Sequence, residues 1–141
     1  MSNAFRSNKP CWISDSLGTT YGSTAAVHSK EIGFPGGVNV WLDLEGVSQQ
    51  SSAQDVIAYC NAWSDAVTSQ GYVPGLYVGA NSGFTGDQLA SLKCTHYWNS
   101  LSNVPDVTGR GYQLIQTAGS SGEDNTTQND QKGDAVLWLH P

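Results

Sequence analysis

Positive charge is scarce in this chain of 141 residues, which has 6 Lys and Arg against 12 Asp and Glu. The formal net charge of -6 argues against a nucleic-acid backbone or an anionic membrane surface as the partner, because both attract cationic proteins. No apolar run approaches the roughly 20 residues that a membrane span requires. We therefore predict no nucleic-acid partner and no membrane span, and an uncharged, hydroxyl-rich ligand suits the composition better.

The chain also lacks the common signatures of metal and cofactor chemistry. Its three cysteines, Cys11, Cys60 and Cys94, form no CxxC pair, so they indicate no zinc site, and one disulfide bridge stays open. The three histidines are scattered along the sequence. There is no GxSxG elbow and no glycine-rich phosphate loop after a strand. We predict neither a metal nor another cofactor.

The length suits one domain with a hydrophobic core and is too short for a second. Residues 1–4, MSNA, are typical of a cloning remnant, and residues 5–141 are predicted to form a single α/β domain. The N-terminus lacks the charged-then-apolar plan of a signal peptide, so the sequence itself leaves the cellular compartment open.

Hydrophobic periodicity and capping residues predict alternating helices and strands. Short connections and mostly apolar strands favour a parallel sheet with packed helices, in which the carboxyl ends of the strands share one edge. Residues 118–130 are polar and loop-like, and the following DAVLWL is predicted to be a strand or a packed tail. The predicted elements are helices at about 20–32, from Ser52 to Gly71 and from Thr85 to Leu92, and strands at 38–45, 73–79, 95–100 and 111–117. The packed face of the first helix is predicted to be Ala25, Ala26, Ser29 and Ile32. In the second helix Ser52 is the predicted cap, and the predicted apolar stripe is Val56, Cys60, Trp63 and Val67.

The stretch VNVWLDLEG, residues 38–46, is the most informative part of the chain. Alternate side chains of a strand share a face and lie roughly 6.5–7 Å apart along it, so Asp43 and Glu45 point the same way, together with Asn39 and Trp41. Carboxylates at the end of an apolar strand, just before a glycine, lie where α/β folds place active sites. The alternative interpretation is a structural ion pair with Lys93 or Arg110.

The order of several motifs is similar to the Rv2525c-like, glycoside-hydrolase-like family once called domain of unknown function 1906. The motifs are GFPGGVNVWLDLEGV, QGYVPGLYVG, HYW and GYQLIQ. That family resembles the glycoside hydrolase family 25 lysozymes, which are TIM barrels with an Asp-x-Glu pair on the fourth strand. The resemblance covers roughly residues 12–141. It implies the C-terminal part of a TIM-barrel-like (β/α) fold, left incomplete because the chain begins near the helix before the fourth strand.

The resemblance implies a catalytic pair at the mouth of the barrel. Glu45 matches the general acid and Asp43 the companion carboxylate, which together supply the two carboxyl groups that glycoside hydrolysis needs. Strand spacing leaves the retaining and the inverting geometry both open. The implied substrate is a bacterial cell-wall glycan of the peptidoglycan type, and the implied location is secreted or in the cell envelope.

Five further residues are candidates for substrate binding. The resemblance places Tyr77, Trp98 and Gln116 on neighbouring strands facing the cleft and matches Asp124 to an Asp of the last strand. Asn81 and Gln116 are suitable hydroxyl binders by chemistry. The alternatives are that Tyr77 and Trp98 fill the core and that the two amides make loop hydrogen bonds.

Two other classes of function remain open beside the enzyme. One is a non-catalytic glycan-binding or assembly module, and the other is an inactive truncated fragment. Without the first barrel strands, the strand at 38–45 would expose an apolar edge. We therefore expect self-association of two copies through the open sheet edge, or rearrangement into an open α/β sandwich.

Overall fold

The computed structural model of the chain describes residues 14–117 and, for the backbone alone, residues 135–138. Helices and strands alternate along most of this length, as the periodicity predicts. No helix in these ranges is long and apolar enough to cross a membrane. The elements in chain order are α1 (Asp15–Glu31), β1 (Asn39–Leu44), α2 (Ala53–Ser69), β2 (Val73–Val78), α3 (Gly86–Ala90), β3 (His96–Asn99), β4 (Leu114–Thr117) and β5 (Ala135–Trp138).

The strands form one open sheet in the order β1-β2-β3-β4-β5. The pairs β1–β2, β2–β3 and β3–β4 are parallel, which confirms an α/β fold with a parallel sheet and packed helices. Sequential parallel neighbours are also what part of a (β/α) barrel would contain. That this sheet is the incomplete C-terminal part of a TIM-barrel-like fold stays a prediction.

The pairing of β5 differs from an all-parallel sheet, because β5 runs antiparallel to β4. A parallel return would require a crossover of a dozen or more residues, usually a helix packed on the sheet. The sequence between the two strands is rich in Gly, Ser, Asn and Asp and lacks the apolar stripe of such a helix. Antiparallel pairing requires no crossover of this kind.

The described helices pack against one face of the sheet. Parallel strands in sequential order are joined by right-handed crossovers, which place successive helices on the same side. The predicted stripe of α2 is confirmed, since its members are buried against alternate residues of β1 and β2 in one core. The stripe is Val56, Cys60, Trp63 and Val67, and the strand residues facing it include Leu42, Leu44, Leu76 and Val78.

Helix α1 begins earlier and ends sooner than the sequence predicts. Ser14 caps it by accepting a hydrogen bond from the Leu17 backbone N–H at 3.2 Å, so the helix begins at Asp15 rather than near residue 20. The prediction that Ile32 continues the packed face is wrong, because Ile32 is the C-cap and is 67% exposed. The rest of the predicted face, Ala25, Ala26 and Ser29, is buried.

Glycine allows α1 and α2 to approach closely. A Cβ added to Gly22 would lie 2.5 Å from the backbone oxygen of Trp63 and 2.9 Å from Cβ of Ala66. Gly18, one turn earlier, faces the backbone of Tyr59 in the same way. Backbone atoms cannot move aside as a flexible side chain can, so the spacing of the two helices depends on these two positions.

The two cysteines of the described region are free thiols inside the helical core. Cys60 and Cys94 are both buried, so the bridge that the sequence left open is not formed between them. Cys94 Sγ lies 3.2 Å from the hydroxyl of Ser64. Burial raises the pKa of Cys94 to about 11 and that of Cys60 well above its usual value, so both remain protonated near neutral pH.

Replacing Gly22 with Ala tests the close approach of α1 and α2. Alanine gains up to about 1 kcal/mol in helix propensity, but overpacking against fixed backbone costs typically about 1–3 kcal/mol. We expect the contact to dominate and the free energy of unfolding in urea to fall by about 1–2 kcal/mol. The control is Thr24→Ala, an exposed position of α1. A Gly22→Ala protein as stable as the control variant would contradict the packing described.

Candidate functional site

The sheet face opposite the helices carries the predicted carboxylates. Trp41, Asp43 and Glu45 alternate with the buried leucines of β1 and are half-buried. In the parallel register Asp43 lies beside Tyr77 of β2, and Tyr77 lies beside Trp98 of β3. Three neighbouring strands therefore bring these five side chains to one face, with Asp43 and Glu45 at the carboxyl end of β1.

Two glycines make room for this arrangement on β2. A Cβ on Gly79, which follows β2, would lie 2.5 Å from Cβ and 2.8 Å from Oε2 of Glu45, and 3.2 Å from Cε1 of Tyr77. A Cβ on Gly75 would lie 2.6 Å from Cζ3 of Trp41. The side chains of Glu45 and Trp41 therefore lie across the two glycines, on either side of the Tyr77 ring.

Aromatic rings and one amide form a connected layer on this face, which we call the aromatic layer: Trp41, Tyr77, Trp98 and Gln116. The Tyr77 hydroxyl donates a hydrogen bond to Oε1 of Gln116 at 2.8 Å. The ring of Trp98 meets Tyr77 edge-on at 5.0 Å between centroids and Trp41 at 5.6 Å. Such edge-to-face pairs are favourable beyond the area they bury and fix the ring orientations.

The cations considered as partners of the carboxylates are engaged elsewhere. Lys93 Nζ lies 2.6 Å from Asp65 in an exposed salt bridge. The guanidinium of Arg110 donates to the backbone oxygen of Cys94 at 3.0 Å and lies 5.0 Å from the centroid of Tyr97. The contacts within residues 14–117 include no ion pair between either cation and Asp43 or Glu45.

Metal ligands are not gathered at this face. Within the described ranges no group of three or more His, Cys, Asp or Glu side chains is placed to hold a metal ion. His96 lies at the amino end of β3, where its Nδ1 is 2.8 Å from Nδ2 of Asn39. In this contact the Asn39 amide nitrogen donates and Nδ1 accepts.

The substrate-binding predictions fall into three groups. The structure places Tyr77, Trp98 and Gln116 together in the aromatic layer. Asn81 lies apart from it, exposed in the loop after β2 with a positive φ of 55°, and its backbone oxygen accepts from Val47 N. Asp124 falls outside the described residues.

Sequence reasoning missed three residues that shape the site. Trp41 was recognised as sharing the face of Asp43 but not as a candidate, and Gly75 and Gly79 were not considered. A signal was present, because Trp-x-Asp-x-Glu on β1 and Gly-x-Tyr-x-Gly on β2 and just beyond it both alternate with period two. Large side chains on one strand opposite glycines on its neighbour indicate side chains that lie across the sheet.

Fold and site together define an α/β domain with acidic and aromatic side chains at the strand ends. A family model for the Rv2525c-like, glycoside hydrolase-like domain matches residues 4–135. Because the match extends over nearly the whole chain, the chain belongs to this family, as its motifs predict. Comparisons with curated proteins and with solved structures found no match.

Replacing Gly75 with Ala tests whether Trp41 lies across β2. The new Cβ would occupy the position of the Trp41 ring, so we expect the ring to move away from Trp98. The near-UV circular dichroism of the tryptophans should weaken, and the free energy of unfolding should fall by about 1–3 kcal/mol. The control is Gly36→Ala, whose Cβ would lie 3.5 Å from its nearest neighbour in ordinary contact. An unchanged near-UV spectrum in Gly75→Ala would show that the ring lies elsewhere.

Proposed function

We propose that this domain hydrolyses a cell-wall glycan of the peptidoglycan type, with Glu45 as general acid and Asp43 as companion carboxylate. The observation that carries the proposal is the position of the Glu45 carboxylate over Gly79, beside the ring of Tyr77. Asp43, in register with Tyr77, emerges on the same face. The family supports a glycoside hydrolase-like domain, and the substrate and the catalytic roles are our proposal.

The chemistry requires one carboxyl group that donates a proton to the leaving oxygen and a second that acts as nucleophile, water activator or charge stabiliser. Glu45 and Asp43 supply two such groups on one strand. Asp43 lies in β1 and Glu45 directly follows it, where the backbone stays paired because Gly46 N donates to the backbone oxygen of Ala80 at 2.8 Å. The rigid placement of the reacting groups is itself a source of catalysis.

The aromatic layer supplies the surface on which a sugar would lie. Indole and phenol rings offer flat apolar faces for the C–H side of a sugar. The hydrogen bond between Tyr77 and Gln116 fixes the orientation of both side chains before a ligand arrives. The chain's net charge of -6 suits an uncharged sugar better than an anionic one.

A non-catalytic glycan-binding module is the second candidate. The observation that favours it is the aromatic layer, because Trp41, Tyr77 and Trp98 can hold a sugar without help from either carboxylate. The two candidates share a ligand class and differ in the role of Glu45. Substitution at Glu45 therefore distinguishes them.

Replacing Glu45 with Gln removes the transferable proton and keeps the shape of the side chain. We expect the release of soluble reducing sugars from purified peptidoglycan to fall by at least about 10²-fold, the usual contribution of a general acid. The matched control is Glu31→Gln, an exposed glutamate at the end of α1, which should retain full activity. Circular dichroism of each variant reports whether the fold persists.

Two outcomes of this experiment would contradict the catalytic proposal. Undiminished sugar release by a folded Glu45→Gln protein would remove Glu45 from the role of general acid. Sedimentation of the wild-type protein with peptidoglycan in the absence of any sugar release would favour the binding module instead. Loss of release in Glu45→Gln with retained sedimentation is the result that the enzyme assignment predicts.

A further inference from the structure

A cavity lies beyond the carboxyl ends of β1 and β2, between the loops that follow these strands and the start of α2. Its volume is about 290 Å³, and its lining includes Val47, Val56, Asn81, Ser82 and Phe84. The loops that follow β1 and β2 stay paired here, since Val47 N donates to the backbone oxygen of Asn81 at 3.0 Å. The cavity therefore begins two residues after Glu45 along the same strand direction.

Ser82 is the exception among the buried polar side chains of this structure. The other four in the described region each make a hydrogen bond of 2.7–3.2 Å through the side-chain oxygen; they are Ser29, Ser64, Ser100 and Gln113. Ser82 is only 4% exposed and lines the cavity, yet its hydroxyl has no partner among residues 14–117. The Ser82 oxygen is not among the fully buried side-chain atoms without a partner, so it is open to the cavity and available to a molecule that enters it.

The lining defines the chemical class of that group. No charged side chain lines the cavity, so an ionic ligand would lack a counter-charge there. Val47, Val56 and Phe84 form an apolar wall, while Ser82 and Asn81 present a hydroxyl and an amide. A small neutral molecule with hydroxyls on an apolar frame satisfies both sides. The volume lies at the lower end of small-molecule sites, which suits one sugar ring and excludes a long segment.

We propose that this cavity is a subsite for one uncharged sugar unit of the glycan, held by a hydrogen bond from Ser82. The proposal rests on the proposed function, because the sugar would belong to the same chain that Glu45 and Asp43 cleave. None of the residues of the aromatic layer lines the cavity, so the unit bound here would neighbour the sugar that lies on that layer. A sugar bound in the cavity would then determine which glycosidic bond of the glycan lies beside Glu45.

The test is a titration of the ¹⁵N-labelled protein with glucose, N-acetylglucosamine, cellobiose and chitobiose, followed by backbone amide shifts. We expect at least one of these uncharged sugars to shift the amides of residues 81–84. Ser82→Ala should weaken that binding by about 5–10-fold, the value of one hydrogen bond. Its thermal midpoint without sugar should not fall, because the hydroxyl it removes makes no hydrogen bond within residues 14–117.

A second pair of variants tests occupancy of the cavity directly. Ala53→Leu, at the first residue of α2, places a larger side chain in the lining and should abolish the shifts. Ala58→Leu, on the exposed side of the same helix, is the matched control and should leave them unchanged. If none of the four sugars shifts residues 81–84, or if Ser82→Ala binds as wild type does, the cavity holds only water and the proposal is overturned.

The result separates this proposal from the proposed function. Sugar binding at residues 81–84 should persist in Glu45→Gln, since that variant alters only the acid. Binding that persists while peptidoglycan is never cleaved would contradict the enzyme and keep the subsite. Cleavage that depends on Glu45 but shows the same KM in Ser82→Ala as in the wild type would keep the enzyme and reject the subsite.

Discussion

The functional face of this domain depends on the space that β2 leaves on one side of the sheet. On this face β2 presents Gly75 and then Tyr77, and Gly79 follows just beyond the strand. Two of these three positions therefore carry no side chain. Trp41 can therefore lie against Trp98, and the Glu45 carboxylate can lie beside the Tyr77 ring. A methyl group at Gly75 would occupy the position of the Trp41 ring, and one at Gly79 would overlap the Glu45 side chain. The arrangement of the site therefore requires glycine at both positions.

The opposite face of the same strands packs into the hydrophobic core. Side chains alternate between the two faces along each strand, so the core residues and the site residues stay separate. Leu42 and Leu44 alternate with Trp41, Asp43 and Glu45, so each strand residue serves either packing or chemistry. Close contact of α1 with α2 through small residues then holds a compact helical layer behind the sheet. Such support matters for the proposed catalysis, because the two carboxyl groups must be held in fixed positions relative to the substrate.

Local patterns in the sequence predicted the parts of this structure that depend on local physics. Alternation placed Asp43 and Glu45 on one face, and the helical stripe and capping serine of α2 follow from spacing alone. The predictions that were wrong concerned the ends of helices and the pairing of strands that are far apart in the sequence. The cap at Ser14, the exposure of Ile32 and the antiparallel β5 are examples. The contact of Tyr77 with Gln116 joins residues 39 apart, so no local pattern encodes it.

The central claim is that the face bearing the aromatic layer binds glycan, and the indole N–H signals of the tryptophans test it most directly. In a titration of the ¹⁵N-labelled Glu45→Gln protein with soluble peptidoglycan fragments, the signals of Trp41 and Trp98 should shift together. Trp63, which is buried in the helical core, should not move. Unchanged Trp41 and Trp98 signals at saturating fragment concentration, or shifts confined to Trp63, would contradict the account.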